Sequence, residues 1–167
     1  MKLITKWAWV GAIAFGFVLM ASGGFMMYEG RTAHNEVRDT LADERIITSE
    51  DAGIPLAEVD SAAEAKAQAD VIRVHILETT GGKTYAELDR SDPNRATYLN
   101  SVTLRTALME SYLAFKVSDL VVGMGAIVVL LGLSHVALGA FLGLLVFKSE
   151  AQASEKAVIK TAAAPAA

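Results

Sequence analysis

Leu120-Val-Val-Gly-Met-Gly-Ala-Ile-Val-Val-Leu-Leu-Gly-Leu-Ser-His-Val-Ala-Leu-Gly-Ala-Phe-Leu-Gly-Leu-Leu-Val-Phe147 runs for 28 residues without a formal charge, provided His135 is neutral. At 1.5 Å per residue such a helix reaches about 42 Å, more than the roughly 30 Å of a bilayer's hydrocarbon core. Two crossings do not fit. A break at Ser134-His135 leaves only the 12 residues Val136 to Phe147 for the second, too few for a span. The stretch therefore predicts one transmembrane helix, either tilted or with its apolar start projecting beyond the membrane.

Working towards the N-terminus, a second uncharged block covers the 22 residues Trp7 to Tyr28, preceded by Lys2 and Lys6. Ala21-Ser22-Gly23 offers a signal-peptide cleavage point, but the apolar run continues through Phe25, Met26, Met27 and Tyr28. A signal h-region needs only about 7–15 apolar residues, so an uncleaved signal anchor is the expectation. These two blocks account for an unusual composition: 53% hydrophobic and 20% charged residues in a chain of 167, with mean hydropathy +0.37. A soluble globule that uses the whole chain is excluded, and two spans are too few for a transport pathway within one subunit.

Charge sets the expected topology. The segment between the blocks, Glu29 to Asp119, carries 17 acidic and 10 basic residues, whereas lysines flank the outer ends of both spans at Lys2, Lys6, Lys148, Lys156 and Lys160. Flanking Lys and Arg favour the cytoplasm. The expected layout has residues 1–6 cytoplasmic, 7–28 as the first span and 29–119 as an extracytoplasmic helical module. Residues 120–147 form the second span and 148–167 a cytoplasmic tail, partly disordered towards Pro165. The predicted fold is an all-α membrane protein: two transmembrane helices with helical extracytoplasmic extensions and a connecting helix. An acidic module argues against nucleic acid as a ligand. With no cysteine in the chain, packing or partners must hold that module.

Local signals divide the middle. Glu29 to Arg45 is Pro-free and helix-permissive, Ile46-Ile47-Thr48 is β-prone but short, and Asp51-Ala-Gly-Ile-Pro55 is turn chemistry. Ser61-Ala-Ala-Glu64 is a capping box, with Ala65, Ala69, Ile72 and Ile76 following at helical spacing. Gly81-Gly82 should stop that helix, and Asp92-Pro93 should start the next. Leu99, Val102, Thr106 and Met109 recur on one face of a helix expected to continue into the second span.

One set of motifs is distinctive: Ala42-Asp-Glu-Arg-Ile-Ile-Thr-Ser-Glu-Asp-Ala52, Ala67-Gln-Ala-Asp-Val-Ile72, His75, Thr80-Gly-Gly-Lys-Thr-Tyr-Ala-Glu-Leu-Asp-Arg90, Asp92-Pro93 and Arg95-Ala-Thr97. It resembles the exposed region of a family of small two-span actinobacterial membrane proteins commonly labelled "aromatic ring-opening dioxygenase LigA". The resemblance covers Ala42 to Leu108 and implies location and lineage. The dioxygenase label demands a facial set of His and carboxylate ligands with open positions. The three histidines, His34, His75 and His135, are scattered through the sequence without an HxH or HxxE cluster, so neither ring cleavage nor a resident cofactor is expected.

Other features carry paired readings. Gly81-Gly82-Lys83-Thr84 lacks the earlier glycine of a phosphate loop and follows a helix end, whose carbonyls repel anions, so it is a helix stop. Tyr85, Glu87, Asp89, Arg90 and Arg95 form the densest polar patch, either a docking surface for a partner or a turn held by local ion pairs. Ser134 and His135 are polar groups inside a span and need hydrogen-bond partners. Haem ligation or proton relay at His135 stands against a neutral imidazole bonded to a neighbouring helix or a carbonyl. Gly125, Gly132 and Gly139 recur every seven residues, Gly139 and Gly143 form a GxxxG, and Ala8, Ala12 and Gly16 recur every four. Small residues on one stripe let membrane helices approach closely.

These readings lead to a non-catalytic integral membrane accessory subunit or assembly factor in the plasma membrane. Its partners would be lipid and other integral membrane subunits, with a homo-oligomer as an option. If the lineage is actinobacterial, a respiratory chain supercomplex is a candidate host. The alternative is a membrane-anchored ligand-binding or envelope-sensing module.

Overall fold

Three helices hold 129 of the 161 described residues, which in this computed structural model are residues 2–162, and no strand occurs among them. They are α1 (Lys2–Asp43), α2 (Ala62–Thr79) and α3 (Asn94–Ala162). The tail beyond residue 162, including the expected disorder near Pro165, lies outside the described residues.

The helix ends follow local chemistry. Ser61 accepts a hydrogen bond from the Ala63 N–H at 3.2 Å and donates its hydroxyl to Glu64, which starts α2. At the other end Gly81 and Gly82 adopt φ of +61° and +83°, and the Gly82 N–H reaches back to the Leu77 carbonyl at 2.7 Å. Only glycine takes two successive left-handed residues without steric cost, so the chain turns here. Asp92 accepts from the Asn94 N–H at 2.8 Å and caps α3, with Pro93 where a helix has no use for an N–H. After that, α3 runs unbroken to Ala162.

The chain divides into two units, one of residues Met1–Met27 with Gly123–Ala167, the other Tyr28–Val122. In the first, α1 and α3 pack as an antiparallel pair. In the second, Leu41, Val59, Ala65, Ala69, Leu108 and Phe115 form the core. Ala65 and Ala69 leave α2 room to lie close against its neighbours, and a smaller cluster joins Ile76, Leu88 and Tyr98. The expected short strand is a single bridge, Ile47 to Glu58. Buried Thr48 secures it, donating its N–H to the Ala57 carbonyl and accepting the Ala57 N–H on Oγ1, both at 2.8 Å. Gln68 fastens the same loop to α2 by accepting the Ser49 N–H at 2.9 Å.

The expected continuation holds, α3 running from Asn94 through the second apolar block. The packed face of α3 in this unit carries Tyr98, Leu108 and Phe115, whereas Leu99 and Val102 are 52% and 38% exposed. Apolar residues occur all round this part of α3, Leu104 and Leu113 among them, so hydrophobicity alone does not mark the inward face.

Candidate helix-packing and docking surfaces

The membrane-type pair is built on glycine. A Cβ placed on Gly16 would lie 2.7 Å from the Gly132 carbonyl oxygen, and one on Gly132 would lie 2.6 Å from that of Gly16. Gly23 and Gly125 face each other in the same way, at 2.6 and 2.7 Å. Seven residues along one helix match seven back along the other, a repeat that keeps the seam aligned when helices wrap left-handed. Backbone meets backbone, and Met20, Met27, Val129 and Val136 fill the flanks. At the far end Gly139 receives Ile13 and the Trp9 carbonyl, while the Trp9 ring lies over Gly143 and meets Phe147 edge-on at 5.7 Å.

Gly16, Gly125, Gly132, Gly139 and Gly143 are thus brought to helix contacts. Ala8 is exposed and Ala12 half-buried. Two four-residue steps rotate about 80° around a helix, whereas one seven-residue step stays within about 20°. The packing residues of the first apolar block include Gly23, which the sequence reading passed over although it repeats the Gly125–Gly132 spacing. In the second unit Gly30 recurs seven residues later, against Ser118 and Val122.

The polar groups of the second apolar block find acceptors on their own helix. The Ser134 hydroxyl donates to the Leu130 carbonyl at 2.9 Å, and His135 Nδ1 lies 2.9 Å from the Leu131 carbonyl. The His135 ring meets Phe15 edge-on at 5.3 Å.

The polar patch is partly locked. Arg95 lies 4.1 Å from the centre of the Tyr85 ring and donates to the carbonyls of Leu88 and Tyr85 at 2.8 and 3.3 Å. Glu87 accepts from the Thr84 N–H and hydroxyl, both at 2.7 Å, which holds its carboxyl below the usual range. Asp89 and Arg90 are exposed and make no side-chain ion pair among the described residues. The patch is therefore a stapled turn presenting two free charges.

The other histidines have separate partners. His34 Nδ1 lies 3.2 Å from Asp119, its ring edge-on to Phe115 at 4.9 Å. His75 Nε2 lies 2.6 Å from Asp51, and that hydrogen bond lowers the Asp51 pKa. Among the described residues no three His, Cys, Asp or Glu side chains converge as a metal site. No family model, curated protein or solved structure matches the chain.

Proposed function

We propose that this chain is a non-catalytic integral membrane accessory subunit or assembly factor, anchored by a two-helix hairpin. The observation that carries the reading is a pair of long apolar helices that are scarcely buried. Only 11% and 17% of their most apolar windows are covered within the chain. The core helix of a soluble protein is covered by its own fold, so these surfaces call for lipid or for other membrane helices. The glycine seam supports the hairpin as one anchoring element, since close backbone approach is how helices associate without hydrophobic contrast.

In this reading residues 29–119 are extracytoplasmic, both termini are cytoplasmic, and Asp89 and Arg90 with the stapled Tyr85–Arg95 turn face a partner. The host is a larger plasma-membrane complex, with a respiratory chain supercomplex as the candidate. The test is purification of the tagged full chain from its native membrane in mild detergent. A fixed-stoichiometry complex carrying cytochrome absorbance is expected, and a lone monomer or homodimer would overturn the reading. Topology is tested with Ser91→Cys and Ser154→Cys, since the chain has no cysteine of its own. A membrane-impermeant maleimide should label the first from outside intact cells and leave the second unmodified.

A further inference from the structure

In the second unit, α2 and α3 enclose a cleft of about 220 Å³ lined by Ile72, Arg73 and Ile76 from one helix and Tyr98, Ser101, Val102 and Arg105 from the other. Its charge is out of keeping with its surroundings. The segment around it is net acidic, yet neither Arg73 nor Arg105 has a carboxylate partner among the described residues. The Arg105 Nε is buried and meets no acceptor. A buried guanidinium N–H without an acceptor is costly, and guanidinium hydrogen bonds match the planar fork of a carboxylate. The Tyr98 hydroxyl makes no hydrogen bond among the described residues either, leaving a third donor on the same wall.

We propose that this cleft binds a short aliphatic carboxylate. The head group lies between Arg73 and Arg105 and accepts from their terminal guanidinium N–H groups, while its alkyl body lies against Ile72, Ile76 and Val102. Size limits the ligand: the cleft falls below the roughly 300 Å³ at which drug-sized ligands begin to fit. Charge fixes its direction, because a neighbouring hollow that shares Arg105 also contains Glu110, which repels an anion. The site goes beyond the accessory-subunit reading and does not depend on it.

The test uses the full chain in nanodiscs with ¹⁵N-labelled arginine, observing the Nε–H resonances. Butyrate should shift the Arg105 signal saturably, butylamine should not, and inorganic phosphate should bind at least about tenfold more weakly for want of the apolar contact. Arg105→Gln, followed through the Arg73 Nε–H resonance, should weaken butyrate binding by about tenfold or more, with helicity by circular dichroism unchanged. Val102→Trp, which fills the cleft while keeping both arginines, should abolish binding and keeps the test decisive if Arg105→Gln fails to fold. No saturable shift, phosphate binding equal to butyrate, or undiminished binding to either folded variant would overturn the proposal. None of these outcomes bears on co-purification with a membrane complex, so the two readings fail separately.

Discussion

Gly132→Ala places a methyl group where the structure leaves least room. Its Cβ would lie 2.6 Å from the Gly16 carbonyl oxygen and 2.8 Å from the Met20 nitrogen, both backbone atoms that no rotamer change can move. Ordinary contact begins at 3.4 Å, so the helices must part by roughly 0.8 Å. A gap of about 0.5–1 Å forfeits a quarter to a half of each dispersion contact along the seam, and overpacking of this kind costs about 1–3 kcal/mol. Alanine recovers up to about 1 kcal/mol of helix propensity, a gain that Gly24→Ala shares. Gly24 has nothing within 4 Å of its would-be Cβ, which makes it the matched control. The expected difference between the two variants is about 2 kcal/mol. It can be read from SDS-driven unfolding in mixed micelles, followed by the fluorescence of Trp9 at the seam's end in a Trp7→Phe background. Gly16→Ala combined with Gly132→Ala should cost less than the two singles summed, because the first methyl opens the gap that the second needs. Equal stability of Gly132→Ala and Gly24→Ala, or strict additivity of the pair, would refute the seam.

Further outcomes follow from the second unit. Phe115→Ala removes a fully buried ring from the core and should cost about 3–5 kcal/mol, with amide exchange in α2 rising to match. Thr48→Val keeps the shape but strands the Ala57 N–H, for a loss of about 1–3 kcal/mol in thermal unfolding. The Asp51–His75 hydrogen bond lowers the folded carboxyl's pKa below its ordinary 3.8. Its stabilisation is therefore present above that value and is lost as pH falls through the folded pKa. Asp51→Asn should make melting temperature less steep with pH on the acid side, and an unchanged slope would exclude this pair as a contributor.

What was legible in the sequence was local or bulk. Two uncharged blocks announce themselves by length, and Ser61–Glu64, Gly81-Gly82 and Asp92-Pro93 act within a few residues of themselves. What was not legible depends on partners distant in sequence. Gln68 reaching Ser49, His75 reaching Asp51 and Arg105 sharing a cleft with Arg73 leave no periodic trace. Nor does a polar patch disclose that Arg95 stacks on Tyr85 and bonds carbonyls rather than carboxylates. Where apolar residues surround the helix, as at Leu99, Val102 and Leu104, the pattern does not say which face packs. In the first apolar block the four-residue stripe ending at Gly16 masks Gly23, although the second block displays the seven-residue interval.

That interval has a mechanical consequence. A ladder with identical rungs does not know its own position: sliding one helix by seven residues, about 10 Å, would again set glycine against glycine. Trp9 removes the ambiguity. Its ring needs the bare backbone at Gly143, and a slide by one repeat towards Gly132 would bring it to Val136 instead. The glycines decide how near the two helices come, and a single indole works as the detent that decides where along each other they stop.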